Sequence, residues 1–153
     1  GVYDPMAADA EIIAMLCHCL DELKPIIGDF QVRLSHRKLL DGMMEACGVP
    51  PEKVRAIGSA IDKLDKESWE TVREEMVSQK GLSESAADLI EPLVGIRGTF
   101  AEVSARMKEI ELTQGSAKVD NGLQDLGLMF DLLKHDSRVM DHCIVDLSMA
   151  RGL

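Results

Sequence analysis

The chain has 153 residues, 46% of them hydrophobic and only 3% aromatic, which supports one globular unit with an aliphatic core and excludes a disordered tail. Nine methionines make that core adaptable. A formal net charge of −10 repels nucleic acid as a whole, so DNA is excluded as a partner and any RNA contact has to be a local basic patch acting against the field.

The first predicted element is a helix from about Ala8 to Leu23, with Ile12, Leu16, Cys19 and Leu23 on one face, stopping before Pro25. Gly28 then reverses the chain, and Phe30, Val32 and Leu34 alternate with polar neighbours over 29–35 as a strand requires. Lys38 to Cys47 reads as a helix, stopped by Gly48 ahead of Pro50 and Pro51. Val54, Ile57, Ile61 and Leu64 mark a second stripe of the helical middle. Trp69, Val72 and Met76 mark a third, ending near Gly81. Ser83 caps the next helix, which Pro92 kinks or ends, and Gly95-Ile96-Arg97-Gly98 reads as a linker. Thr99 and Glu102 have capping-box spacing and open a helix striped by Phe100, Val103, Met107 and Ile110. After a polar break over 113–116, Val119, Leu123, Leu126, Phe130 and Leu133 repeat at spacings of four and three, as in an antiparallel bundle. Last, residues 142–149 place Cys143, Val145, Leu147 and Met149 on one face of a half-buried strand, with His142, Asp146 and Ser148 on the other. Pairing of this strand with 29–35 joins the two ends of the sequence and leaves six or seven helices as an excursion from a sheet.

Chemical motifs inside the helices are sparse. There is no Gly-rich phosphate loop, no nucleophile elbow and no H-E-x-x-H. Cys17, Cys19, Cys47 and Cys143 are expected to be reduced, the first two as small buried hydrophobes, and the C-x-C spacing does not suit zinc, so no metal ligands are assigned. The histidines at 18, 36, 135 and 142 are isolated and read as structural or exposed, and Glu74-Glu75 as a solvated face. One basic cluster stands out: Arg33, His36, Arg37 and Lys38, joined by Lys53, Arg55, Lys63 and Lys66. It suits phosphates along a backbone, since no aromatics are interleaved for stacking; from the residues alone an ordinary solvated surface is the favoured reading. No apolar run reaches the roughly 20 residues of a membrane span, and residue 1 onward shows no basic region followed by an apolar stretch as in a signal peptide; the cytoplasm is the expected compartment, with an organellar form left open. Arg151 follows the last strand, where the sheet would fix a planar donor fork suited to phosphate or carboxylate.

Several blocks carry a resemblance: Tyr3-Asp4-Pro5-Met6; Asp29-Phe30-Gln31-Val32-Arg33-Leu34 running into His36-Arg37-Lys38-Leu39-Leu40-Asp41-Gly42-Met43; Cys47-Gly48-Val49-Pro50; Ile61-Asp62-Lys63-Leu64-Asp65-Lys66; and Asp146-Leu147-Ser148-Met149-Ala150-Arg151-Gly152-Leu153. Together and in this order the chain resembles eukaryotic-type histidyl-tRNA synthetase, most strongly over 29–82 and 142–153. The resemblance implies a fragment of a class II synthetase lying between its second class motif and its histidine-specific Arg-Gly-Leu motif, with Gly1 left by tag cleavage. The fold it implies is mainly α: a helical insertion domain with a short two-stranded antiparallel remnant of the catalytic sheet. Residues 1–36 and 136–153 would belong to the catalytic core and 37–135 to the insertion. Arg151 matches the family arginine that contacts the ATP α-phosphate and the histidine carboxylate. The parent would use ATP and Mg, bind histidine and tRNA(His), act as a homodimer and lean its helical part on the acceptor stem; the fragment alone would be inactive. Two alternatives stay open: the synthetase-like regulatory domain of an amino-acid-starvation kinase, which binds uncharged tRNA, and a free-standing helical interaction module.

Overall fold

The computed structural model describes residue 2 and residues 4–150; the expectations for Tyr3 and for Arg151-Gly152-Leu153 lie outside that range. The described chain is mainly helical, with α1 Ala7–Ile27, α2 Arg37–Ala46, α3 Val54–Ile61, α4 Trp69–Glu74, α5 Glu84–Val94, α6 Phe100–Glu109, α7 Ala117–Leu133 and α8 Ser137–Met140. Three short strands accompany them: β1 Val32–Leu34, β2 Arg97–Gly98 and β3 Cys143–Asp146.

The cap signals at Ser83 and Thr99 fall where the sequence places them: Ser83 accepts from the Ala86 N–H, and Thr99 with Glu102 forms the complete capping box; Ser68 and Ser116, not read as caps, do the same for α4 and α7. Gly48 and Gly81 take positive φ (77° and 65°) at the ends of their helices, a conformation that favours glycine.

Three readings need correction. The helix at the N-terminus does not stop before Pro25 but runs to Ile27, because a proline in the last turn forfeits little of the hydrogen-bond ladder and Gly28 N–H closes the end on the Lys24 carbonyl at 2.9 Å. Its buried side is also different. Cys17 and Ala10 are buried, with Ile13, Ala14 and Leu20 packed behind them, while Ile12 (65% exposed), Leu16, Cys19 and Leu23 face outward beside Met15 and Ile26. Apolar residues surround most of α1, so periodicity alone does not select a face. The sheet, finally, has three strands in the order β1-β3-β2, and its two outer ends of the sequence pair in parallel, Val32 with Cys143 and Leu34 with Val145. The antiparallel partner of β3 is β2, inside the segment read as a linker. Alternation reports which face a residue takes and nothing about strand direction; a parallel pair requires a long crossover, which the helices supply.

The core is aliphatic and methionine-rich. Leu39, Met43 and Met44 of α2, Ile57 and Ile61 of α3, Ile90 and Leu93 of α5, Val103 of α6 and Val145 of β3 are all fully enclosed, as is Met76 just beyond α4. Helices α2 and α7 cross at glycine contacts: a Cβ on Gly42 would meet Val119 at 2.8 Å, and one on Gly122 would meet the Leu39 backbone N at 2.7 Å.

Candidate functional site: the end of the central strand

Strand β3 ends at a buried carboxylate. Asp146, read as a polar outward residue, is only 1% exposed. Enclosing a charge is costly unless it is paired and hydrogen-bonded, and both of its oxygens are engaged. Oδ1 accepts from the Ser148 N–H at 2.9 Å and the Ser148 hydroxyl at 2.7 Å; Oδ2 accepts from Arg33 Nη1 at 3.2 Å. The first of these makes an Asx turn, which gives the backbone an alternative to the ladder and explains why the strand stops here.

Arg33 lies on β1, in register with Ile144, which precedes Asp146 by two residues and so shares its face of β3. The same Nη1 also donates to Asp65 Oδ1 at 2.9 Å. Asp65 first, then Asp146, hold the guanidinium proton above its ordinary range. The residues beyond the strand are fastened in turn: Leu147 N–H donates to the Ile96 carbonyl at 3.1 Å, Met149 N–H to the Asp146 carbonyl at 3.3 Å, and Ala150 N–H to Asp62 Oδ1 at 3.0 Å. Asp62 and Asp65 bound a single 3-10 turn that follows α3. Both strands and the helical body thus converge on residues 146–150, immediately before Arg151.

The eight basic candidates do not form one free patch. Arg33 belongs to the strand-end network. His36 caps α2 by accepting from Lys38 N–H at 3.1 Å, and its other ring nitrogen lies 3.2 Å from Asp125. Lys38 Nζ donates to the same carboxylate at 2.9 Å and, as the leading cause, depresses the Asp125 pKa. Lys63 pairs with Glu75 at 2.6 Å, and Lys53 donates to the Gly81 carbonyl. Arg37 stands 3.8 Å from Asp41, an exposed and therefore weak pair. Arg55 and Lys66 are exposed and carry no ion pair among the described residues. Arg37 and Arg55 share an open cleft of about 470 Å³ with Asp41, Glu45, Val49, Pro51, Val54 and Lys118.

The sequence reading missed Asp62, Asp65, Asp146 and Lys118. The Arg33–Asp146 pair spans 113 residues and has no local spacing by which to find it. Glu75 is not solvated: it is buried between Lys63 and Lys80. Among the described residues no group of three His, Cys, Asp or Glu side chains is gathered to hold a metal ion, and no helix is long and apolar enough to cross a membrane. All four cysteines are free thiols; Cys17 and Cys143 sit with their sulfurs 3.6 Å apart, and burial pushes the Cys143 thiol up to about 12.

The family model for histidyl-tRNA synthetase matches residues 3–153. The chain is 48% identical over its whole length to the cytoplasmic histidine–tRNA ligase of Arabidopsis thaliana, of which it covers 17%, and 42% identical to the mitochondrial one of Mus musculus, of which it covers 30%. The crystal structure of histidyl-tRNA synthetase from Nostoc sp. PCC 7120 superposes with a TM-score of 0.85 at 23% identity, over 99% of this chain and 35% of that one, a likeness of fold alone. The chain spans less than a third of the length of these curated relatives. With the family model covering nearly every residue and identities of 42–48% across the full chain, it belongs to the histidyl-tRNA synthetase family.

Proposed function

We propose that this chain is part of a histidine–tRNA ligase that activates histidine with ATP and transfers it to tRNA(His) for protein synthesis. The observation that carries the reading is the 48% identity to a histidine–tRNA ligase, over an alignment that covers the whole chain. In this reading Arg151 is the catalytic and substrate-binding cation. The histidine carboxylate attacks the α-phosphorus, pyrophosphate leaves, and a fixed guanidinium neutralises charge gathering on the phosphoryl oxygens. Magnesium is assigned to no side chain here, because the described residues gather no metal site; it would arrive with the nucleotide.

The division follows the same reading: 1–36 and 136–153 as catalytic core, 37–135 as a helical insertion. Its support is that α2 to α7 lie between the paired strands β1 and β3. The insertion is assigned to the tRNA acceptor stem through phosphates, with Arg37, Arg55 and Lys66 as its accessible cations and His36, Lys38, Lys53 and Lys63 recruited by exchange of their present partners. The parent is assigned as a homodimer. Named relatives include cytoplasmic and mitochondrial forms, and the cytoplasm is the assigned compartment.

Histidine-dependent exchange of pyrophosphate into ATP by the full-length protein, wild type beside Arg151→Ala, tests the reading. Robust exchange that falls by about 100-fold or more in the variant is expected, the scale of removing one transition-state donor. Absence of exchange in the wild type would overturn it in favour of a non-catalytic, tRNA-binding relative.

A further inference from the structure

We infer that Asp62, the first residue of the turn after α3, is a positioning residue for Arg151, acting through the backbone of the strand end. This inference rests on the histidine-activating role proposed above. Three observations converge on it. Asp62 Oδ1 takes the N–H of Ala150 at 3.0 Å, the peptide immediately before Arg151. Ala150 is itself buried, so this amide has no water to bond instead and depends on the protein for its acceptor. Asp65, three residues along the same turn, shares Arg33 with the buried Asp146 that ends β3.

The residues from 147 to 150 lie beyond the end of β3, and each retains two soft dihedrals. Successive bonds remove that freedom: the Asx turn at Asp146, Leu147 on Ile96, and finally Ala150 on Asp62. The last is the one contributed by the helical body. A cation that must meet a developing charge loses effectiveness steeply with displacement, by about 100-fold for 1 Å, so an anchor one peptide away exerts leverage on rate without touching substrate. The acceptor also belongs to the same chain stretch, 61–66, as Lys63 and Lys66, which ties the backbone of Ala150 to the helical body as well as to the sheet.

The test uses the full-length protein in histidine-dependent pyrophosphate exchange, with active sites counted by the burst of ATP consumption. Asp62→Ala is expected to lower the rate per active site by about 10- to 100-fold. Asp62→Asn, which keeps an oxygen acceptor in place, is expected to retain most of it, and Asp62→Glu, which keeps the charge but shifts the acceptor, to lose it. In an Arg151→Ala background Asp62→Ala is expected to cost nothing more, because an anchor acting through Arg151 has nothing left to position. The inference is overturned if Asp62→Ala matches the wild type, if its loss lies wholly in the number of active sites, or if its loss multiplies with that of Arg151→Ala. An absence of exchange in the wild type would be a different failure, that of the histidine-activating role itself, and this inference would fall with it.

Discussion

Glu75 shows how one side chain ties stability to pH. Its carboxylate is buried beside Lys63 Nζ at 2.6 Å and Lys80 Nζ at 3.2 Å. The hydrogen bond from Lys63 is the largest influence and pulls its pKa below the ordinary 4.5; burial opposes it, and Lys80 adds to the lowering. A depressed carboxylate stabilises the fold at any pH above its unfolded value, and that contribution disappears as pH falls through the folded one. Glu75→Gln is therefore expected to melt below the wild type at pH 7, with the gap closing as pH drops under 4.5. Melting curves of both proteins from pH 7 to 3 check this; a gap independent of pH would mean that shape, not charge, matters at 75. The burial of Glu75 was misread, although a signal for it was present: it stands three residues after the apolar Val72, on the inner stripe, rather than on the solvated face suggested by its neighbour Glu74.

Between elements, the tightest constraint is the α2–α7 crossing. Gly122 leaves no room for a methyl group: the atoms in its way are the N, Cα and Cβ of Leu39, at 2.7 to 2.9 Å, and backbone cannot step aside as a side-chain tip can. Alanine would gain roughly 1 kcal/mol of helix propensity but push the helices apart, at a typical overpacking cost of about 1–3 kcal/mol or more. Gly122→Ala is expected to lower Tm by several degrees; a variant as stable as the wild type would show that the helices separate freely. The starts at Ser83 and Thr99 and the stop at Gly48 were legible because each acts within four residues of itself. The glycines of the crossing were not, since in sequence Gly42 and Gly122 look like weak points of their helices until the partner is known. The same holds for β2, two residues long and recognisable only by its bonds to β3.

At the scale of the whole molecule, the charge of −10 means that any RNA phosphate is met locally, by very few cations. Six of the eight basic candidates already have an acceptor within the protein, leaving Arg55 and Lys66 the most available among the described residues. Arg55→Gln in the full-length protein is expected to weaken tRNA binding and to reduce the slope of log K against log salt by about 1, with pyrophosphate exchange unchanged. An unaltered slope would place the phosphate elsewhere. Which cations are free was not legible, because their carboxylates come from distant segments: Asp125 for Lys38, Asp146 for Arg33. That long reach also sets a timetable for biosynthesis. Arg33 and Asp146 are 113 residues apart, so at roughly 5–20 residues per second β1 leaves the ribosome on the order of 10 s before the strand it must pair with. The helices between can assemble meanwhile from local contacts, and parallel closure comes last. Throughout that interval the nascent chain carries a strand edge whose ladder partner has not yet been made, so its exposure to wrong pairing is greatest during synthesis rather than once folded.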